Sequence, residues 1–546
     1  MKIANNRKAA LAAGGLLAFT LGAHADVVTD WNVKAGELIV EAKLGTPPAN
    51  RVMAIVQTAV HEAVSAASLR QPGDVTLDAA VAAANRVTLS KLMPAQEASI
   101  TSAYQAALAK LADGPAKAAG IAAGEQAAAA VLTRRADDGV ATPERYRPHT
   151  TAGSYVPTAA VAAWQWSARK PWLLASASQF RPGPPPALTS TTWARDYDEV
   201  KTLGSKTSKQ RSPEQTEVAR FWDYSLPPIY HGVVRSVANM PGRSVVQNAR
   251  LFATVTQAMD DAMISVFDAK YHHNFWRPIT AIRNGESDGN NATQPEAGWA
   301  SLIESPLHPE YPSAHSILAA TLGTILQAEV GNTKLPVLST SSPTAQGATR
   351  RWARVDDFMA EVAASRVWGG IHYRTSGEVG LAMGRQIGAL AVAQQAAQIP
   401  PVLTPVGQAK LVERISARGV QVYECRADKA AASGAQWVFV APQAELFDTH
   451  GASRGTHYAG PHWEAADGSK IVGKLEARAD APQAGAIPWL LLSARSVGGA
   501  GRFASVTSVQ RVNTAGGVAP QRPCDASSVG TVDRVPYTAD YLLYAS

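Results

Sequence analysis

The spacing of apolar residues changes near residue 400, and this change constrains the fold of the chain more than any other feature. From about residue 30 to 135, and again from 193 to 397, apolar side chains recur every three or four positions, as in Val52, Ile55 and Val56, and this spacing predicts amphipathic helices. Residues 140–192 are rich in Pro, Thr, Ser and Trp and predict a long ordered connection that wraps the helices. Later, short alternating runs separated by glycines predict strands. We therefore expect a mainly α-helical domain at 26–398, a proline-rich linker at 399–408 and a small all-β domain at 409–546.

Residues 1–25 predict a secretory signal peptide rather than part of the fold. Lys2, Arg7 and Lys8 form a basic head, an apolar stretch follows, and Ala23 and Ala25 fit the small-x-small cleavage pattern. An uncleaved anchor is the alternative. No later segment has the ~18 uninterrupted apolar residues of a membrane helix. We therefore expect a periplasmic or secreted protein without a membrane span.

Charge and cysteine content narrow the possible partners. The formal charge of +7 includes three positive charges in the signal segment, and subtracting them leaves +4. With no basic run and no stacking-aromatic motif, we expect no nucleic-acid partner. Haem and flavin patterns are also missing, so we expect neither cofactor. Cys425 and Cys524 form either a disulfide, which an oxidising compartment permits, or two buried thiols.

Three short segments carry side chains that suit a single oxyanion. In the first, Lys270 and Arg277 lie seven residues apart, which on one helix predicts a shared face with a separation of roughly 10 Å. Pro278 should end that helix. Two cations on one face would favour a polyanion between them, and a solvated basic face is the alternative.

The second segment is Pro309 to Ser316, followed by an apolar helical stretch. The prolines predict a helix start, where free N–H groups bind anions. Ser313 adds a hydroxyl, and His315 adds a group that exchanges protons near neutral pH. The alternative is a serine N-cap with a histidine on a surface turn.

The third segment contains Arg366 and His372, separated by Gly369 and Gly370. A helix predicted over residues 348–367 places Arg366 in its last turn. The two glycines break the helix and let His372 approach from a new direction. A C-terminal arginine with a core histidine is the alternative. Taken together, the three segments favour one oxyanion site, because arginine forms forked hydrogen bonds to tetrahedral oxygens and lysine supplies a point charge.

The combination Lys-x6-Arg-Pro, Pro-Ser-x-His and Ser-Arg-x5-His resembles the signature shared by vanadium-dependent haloperoxidases and type 2 phosphatidic acid phosphatases. It covers roughly residues 30–398 and implies a helical-bundle domain of the haloperoxidase and acid-phosphatase type. The resemblance implies that vanadate, or the phosphate of a substrate, is bound by Lys270, Arg277, Ser313, Ala314, Arg366 and His372. His372 would bond to vanadium or attack phosphorus, His315 would act as general acid and base, and Lys270 would assist catalysis.

Two positions depart from the family pattern. Ala314 replaces the usual glycine, which we expect to be tolerated because the backbone N–H carries the role. Ser376 replaces the aspartate that orients the histidine in many phosphatases, and this weakens the phosphohistidine interpretation. Asp223 and Asp261 are weak candidates for a replacement carboxylate.

The resemblance favours a vanadium-dependent haloperoxidase that uses hydrogen peroxide and a halide. Phe275 to Pro278 and Gly369 to Arg374 look closer to the bacterial haloperoxidase-like branch. The place of His308, just before the second motif, resembles a family position that is phenylalanine in chloroperoxidases and histidine in algal bromoperoxidases. This resemblance makes His308 a candidate halide-site residue. The alternatives are a secreted acid phosphatase that hydrolyses phosphate esters through a phosphohistidine, and a remnant site that holds phosphate without turnover.

The C-terminal region resembles an uncharacterised family of secreted bacterial β domains. The residues that carry this resemblance are 419–425, 455–461, 487–490 and 535–541. The family implies no activity, so we expect either a module that binds a surface ligand or a domain that only stabilises the helical part. His457 and His462 would suit a metal, although packing or turn histidines are the more common case.

Overall fold

The computed structural model describes residues 26–545, apart from 71–73, 242, 331–334, 398, 406–408, 430, 432, 449–451 and 482–484. The predicted signal peptide and the end of the predicted linker therefore lie outside the described residues. Among the described helices, none is long and apolar enough to span a membrane.

Helices form the first part of the chain. Several begin with a side-chain cap, as at Ser244, whose hydroxyl accepts from the Gln247 N–H while the Gln247 side chain bonds back to the Ser244 N–H. The described helices are α1 Val27–Glu41, α2 Thr46–Arg70, α3 Asp74–Leu92, α4 Glu97–Leu108, α5 Pro115–Arg134, α6 Thr191–Gly204, α7 Pro213–Phe221, α8 Pro227–Ala238, α9 Val245–His273, α10 Pro278–Arg283, α11 Ala314–Val330, α12 Val355–Trp368 and α13 Arg374–Ala397.

Strands form the second part, apart from one hairpin among the helices. That hairpin pairs β1 Leu338–Ser342 with β2 Ala348–Trp352. The other eight described strands form a closed antiparallel barrel in which each strand pairs with the next along the chain and β10 pairs with β3. They are β3 Lys410–Ala427, β4 Ala435–Phe447, β5 Ser453–Tyr458, β6 His462–Ala465, β7 Lys470–Ala479, β8 Trp489–Ser496, β9 Ser508–Gly516 and β10 Val532–Ala545. The predicted fold class, mainly helical followed by a small all-β region, is confirmed.

The helix predicted over 348–367 is wrong at its start. Residues 348–352 form strand β2, and the helix begins only at Val355. The alternation of exposed Arg351 and buried Trp352 belongs to a strand, and the β1 partner that fixes it lies across a turn. A tertiary partner therefore overrides the helical tendency of the flanking residues.

Helices α11 and α13 pack closely because α13 presents glycines every fourth residue to α11. A Cβ on Gly384 would lie 2.4 Å from the Ile317 carbonyl oxygen, and one on Gly380 would lie 2.7 Å from the Ser313 carbonyl oxygen. Any larger side chain would push the helices apart. This contact places the start of α11 beside the start of α13, where the candidate site lies.

The two parts of the chain meet through a buried ionic network. Glu329 on α11 bonds Arg243 at 3.0 Å, Arg250 at 3.2 Å and Arg414 of β3 at 3.4 Å. Glu329 is 5% exposed. Burial opposes ionisation, but Arg250, Arg243 and Arg414 together lower the pKa of Glu329 well below its usual range. The network therefore stabilises the junction between helices and strands in its ionised form.

Replacing Glu329 with glutamine should lower the free energy of unfolding by about 3–5 kcal/mol, because three arginines would lose their buried counter-charge. Chemical denaturation followed by circular dichroism measures this. The depressed pKa stabilises the fold above the ordinary glutamate pKa of about 4.3, so the deficit should shrink as the pH falls below it. The control Glu217→Gln removes an exposed ion pair with Arg350 and should cost under about 1 kcal/mol. Equal effects of both changes would contradict the stabilising role of the network.

The two cysteines form a disulfide between Cys425 and Cys524, with their Cα atoms 5.7 Å apart. It ties β3 to the loop before β10, so the sequence alternative of two buried thiols is wrong.

Candidate active site

The three sequence motifs converge where α9 ends, α11 begins and α12 meets α13. Lys270, Arg277, Ser313, Arg366 and His372 are all between 0% and 2% exposed. The motifs lie up to about a hundred residues apart in the chain, so only the packing of these helix ends brings them together.

Lys270 and Arg277 do not share a helix face, so that prediction is wrong. Helix α9 ends at His273, and Asn274 adopts a left-handed conformation with φ of 49°, which asparagine tolerates well. Arg277 is extended and precedes α10, which begins at Pro278. Proline therefore starts a new helix here instead of ending the old one, and the two cations reach the site from separate elements.

Lys270 binds the loop that leads into α11. Its ammonium donates to the carbonyl oxygens of Pro309, Glu310 and Pro312 at 3.1, 2.7 and 2.6 Å. Burial and then Arg277 lower the pKa of Lys270. Three acceptors nevertheless favour the charged form, because a neutral amine has only two N–H groups. The lysine thus shapes the loop and contributes positive charge beneath it.

Arg277 connects the same loop to His372. Its Nη1 donates to the Ile371 carbonyl at 2.8 Å and lies 3.3 Å from His372 Nε2. Its Nε donates to the carbonyl of His308 at 3.0 Å, and its Nη2 lies 3.0 Å from His308 Nδ1. The guanidinium therefore lies directly against Nε2 of His372, and an oxyanion bound at Nε2 would take the place of this contact.

The turn before His372 requires glycine. Gly370 has φ of +78°, and a Cβ there would lie 2.4 Å from the Gly204 carbonyl oxygen. Both the backbone conformation and the close approach of α6 exclude a larger residue. The turn follows the end of α12, two residues after Arg366, so the predicted helix break at the two glycines is confirmed. It directs His372 towards Arg277.

Glu310 is the carboxylate that orients His372. Its Oε1 lies 2.7 Å from His372 Nδ1 and accepts from the Tyr373 N–H at 3.1 Å, and its Oε2 accepts from the Ser376 hydroxyl at 2.7 Å. The weak candidates Asp223 and Asp261 are wrong, because Asp261 accepts from the backbone of residues 172–174. Asp223 interacts with Arg366, and within the described ranges it makes no hydrogen bond to His372. Ser376 acts through Glu310 rather than replacing the aspartate directly.

Sequence reasoning missed Glu310 although it lies within the second motif. A carboxylate between two prolines, in Pro309-Glu310-Tyr311-Pro312, was the available signal, but nothing in the spacing links it to a histidine 62 residues later. The pair fixes the histidine tautomer: with Nδ1–H donating to an ionised Glu310, Nε2 keeps its lone pair. That lone pair faces Arg277 Nη1 at 3.3 Å and can bind a metal or attack an electrophile once this contact is displaced.

Ser313 and Ala314 form the start of α11. The Ser313 oxygen accepts from the Ser316 hydroxyl at 3.0 Å, which leaves the Ser313 O–H free to donate elsewhere. The Ala314 N–H lies in the first turn of a helix, where no intrahelical acceptor exists. Both donors and the positive end of the helix dipole suit an anion.

Two buried nitrogens at the site have no hydrogen-bond partner among the described residues. They are Arg366 Nε and His315 Nε2. Arg366 also donates through Nη1 to the Trp222 carbonyl. Because buried donors and acceptors are normally satisfied, these two nitrogens are available to bond an oxyanion placed at this site.

His308 lies at the edge of the cluster, half-buried, with its ring 5.1 Å from that of Phe267. Its Nδ1 contacts both Arg277 Nη2 and the Pro309 carbonyl. The candidate halide-site residue therefore adjoins the cationic cluster through Arg277.

The site carries excess positive charge and neutral imidazoles. Lys270 and Arg277 lie near the carboxylate of Glu310, and Arg366 lies near that of Asp223. Burial lowers the pKa of both arginines to about 10. Burial, reinforced by these cations, also lowers the pKa values of His308, His315 and His372 well below their ordinary range. An oxyanion would offset the cationic excess and supply acceptors for the unpaired donors.

Residues 250–400 match the family model described as VCPO second helical-bundle domain, and residues 405–545 match the family described as protein of unknown function DUF3455. A vanadium chloroperoxidase of Curvularia inaequalis is 28% identical over 166 residues, which are 25% of this chain and 27% of the relative. The matched part thus spans about a quarter of that relative.

Two solved structures are similar to the helical part of this chain. A structure of the first bacterial vanadium-dependent iodoperoxidase superposes with a TM-score of 0.56 at 24% identity, covering 67% of this chain and 95% of the other. A holo-type bacterial vanadium-dependent chloroperoxidase superposes with a TM-score of 0.51 at 18% identity, covering 64% and 93%. At these identities the likeness shows a shared fold. Together with the family matches, it confirms the resemblance that the motifs indicated.

Proposed function

We propose that this protein, whose helical part has the fold of the bacterial vanadium haloperoxidases, binds vanadate at His372 and uses hydrogen peroxide to oxidise a halide. The observation that carries this proposal is the buried pair of Glu310 and His372, beside three cations and two unpaired nitrogens. The names of the similar proteins favour peroxidase chemistry over phosphate-ester hydrolysis.

The residues present fit vanadate. Arg366 Nε and His315 Nε2 are buried without partners, and the Ser313 hydroxyl and Ala314 N–H remain available as donors. A tetrahedral oxyanion would satisfy these groups and neutralise Arg277 and Arg366. His372 Nε2 is the ligand atom in this assignment, because Nδ1 is already taken by Glu310.

Bound vanadate supplies a Lewis acid that activates peroxide without a change in metal oxidation state. The protein's own groups orient and neutralise it. Arg277 and Arg366 offset negative charge in a water-poor site, where fixed donors act strongly. Lys270 holds the Pro309–Pro312 loop and so maintains the position of Ser313 at the start of α11.

His315 is the proton-transfer residue in this proposal. Burial, Arg366 and Lys270 lower its pKa, so the imidazole is neutral and has an unprotonated nitrogen. The negative charge of a bound oxyanion would offset these cations and favour proton uptake by His315. An acquired proton could then pass to the leaving oxygen. His308, next to Arg277, would help to bind the halide.

The first test is bromination of a phenol dye by the purified protein, with bromide and peroxide, before and after vanadate is removed by dialysis against phosphate. We expect bromination that is lost on removal of vanadate and returns when vanadate is added back. A chromogenic phosphate ester is assayed in parallel. Ester hydrolysis that vanadate inhibits, without bromination, would overturn the proposal in favour of a phosphatase. Activity in neither assay would indicate a remnant site.

We also propose export to the periplasm or outside the cell. The basic and apolar pattern of residues 1–25 and the disulfide between Cys425 and Cys524 support this location. Mass spectrometry of the native protein should give a mature N-terminus at Asp26.

A further inference from the structure

The β region contains a cavity that the proposed peroxidase chemistry does not use. Its volume is about 230 Å³, which equals the space of about eight water molecules in the liquid. This is room for one small ring with a substituent. All seven strands from β4 to β10 contribute to its walls.

The rim of the cavity exposes large apolar side chains. Phe439, Val440 and Leu475 are 49%, 44% and 53% exposed, and all three line this cavity. Apolar surface gathered around a concavity is typical of ligand-binding sites, because an apolar ligand would remove it from water.

Two β-bulges shape this rim. In the pairing of β3 with β4, Val422 faces Ala441 and Tyr423 faces Phe439, so Val440 is an extra residue. In the pairing of β7 with β8, Leu475 faces Leu492 and Ala477 faces Leu491, so Glu476 is an extra residue and forms a second bulge. Bulges redirect side chains out of the regular alternation, and here each lies at an exposed apolar residue of the rim.

The floor of the cavity is aromatic and contains an unpaired donor. The ring of Trp463 stacks on His457 with centroids 4.4 Å apart and planes at 15°. Trp463 is 1% exposed, and its indole Nε1 has no hydrogen-bond partner among the described residues. Burial, with a smaller effect of Arg511, lowers the pKa of His457 to about 3, so this imidazole is neutral.

Arg511 places a positive charge in the wall of the cavity. It lines the cavity, is half-buried, and donates through Nε and Nη2 to the Pro488 carbonyl at 3.1 and 2.8 Å. Within the described part of the chain, no carboxylate forms an ion pair with Arg511. A cation beside apolar walls and a spare indole N–H is complementary to an anion that has an apolar body.

We propose that this cavity binds a small aromatic carboxylate, with its ring between Phe439, Leu475 and Trp463 and its carboxylate on Arg511. The volume of about 230 Å³ has room for one such ring. This site is separate from the vanadate site and would give the β region a binding role of its own.

The test is a titration of the full-length mature protein with benzoate, followed by ligand-observed NMR. We expect saturable 1:1 binding that weakens about tenfold or more in Arg511→Gln, because a charge-assisted hydrogen bond is lost. Glutamine can still donate to the Pro488 carbonyl, which limits any effect on folding. Phe439→Ser, at the exposed rim, should weaken binding severalfold while leaving the circular dichroism spectrum unchanged.

Matched controls separate this site from general surface effects. Arg495→Gln removes an exposed arginine from β8, and Val532→Ser removes a valine that is 53% exposed on β10. Neither should change benzoate binding. Neutral benzamide should bind at least about tenfold more weakly than benzoate. Absence of binding in the millimolar range, equal binding of benzamide, or binding unaffected by both Arg511→Gln and Phe439→Ser would overturn the proposal.

Discussion

Replacing His372 with alanine should abolish vanadate-dependent bromination and weaken vanadate binding by more than about a hundredfold. Loss of groups that only orient a metal ligand already costs 10- to 100-fold, and loss of the ligand atom itself should cost more. His372 Nε2 is the one nitrogen of this ring left free by Glu310. Vanadate affinity from equilibrium dialysis and the bromination rate measure the two effects separately.

His272→Ala is the matched control for this change. His272 lies at the same end of α9 as Lys270, is exposed, and packs only against the ring of His273 among the contacts described. It should keep wild-type affinity and rate. If His372→Ala retained vanadate affinity within about tenfold of the wild type, His372 would not be the ligand, and the assignment of the whole site would need revision.

Replacing Glu310 with glutamine should weaken vanadate binding by about 10- to 100-fold. Glutamine keeps an oxygen that can accept the His372 Nδ1–H but removes the negative charge that makes the imidazole a better ligand. Glu310 thus acts as a positioning residue, without contact to the oxyanion in this assignment. Ser376→Ala removes one of the three hydrogen bonds to Glu310 and should have a smaller effect.

The pH dependence of vanadate affinity distinguishes this role from a purely structural one. Burial raises the pKa of Glu310 to about 7. The ionised form accepts the Nδ1–H and leaves Nε2 free, so the affinity of the wild type should fall as the pH falls through about 7. Glutamine does not titrate, so the ratio of wild-type to variant affinity should be largest above pH 7 and approach one below it. This ratio cancels the titration of vanadate itself.

Glu304→Gln is the control for this change, because Glu304 is exposed and only six residues earlier in the chain. It should leave both the affinity and its pH profile unaltered. A Glu310→Gln variant with wild-type affinity at pH 8 would show that the carboxylate does not tune His372. A variant that is weaker by the same factor at every pH would show that it acts through packing alone.

Local chemistry determined much of this protein from the sequence. The change from three- and four-residue spacing to alternation predicted helices followed by strands, because each pattern buries one face of its own element. The motif residues around Ser313 and His372 were identified because their types and short spacings suit an oxyanion. The break at Gly369 and Gly370 was also visible, since glycine is needed where the backbone turns sharply.

Only the tertiary structure decided how these pieces meet. The carboxylate that orients His372 comes from Glu310, 62 residues away, and depends on the close packing of α11 against α13. Lys270 and Arg277 lie on different elements because α9 ends before Asn274 and α10 begins at Pro278. The cavity beside Arg511 arises from bulges whose positions are set by strand pairing. Sequence spacing encodes contacts within an element, whereas these contacts join elements, and their geometry is fixed only when the faces of those elements pack.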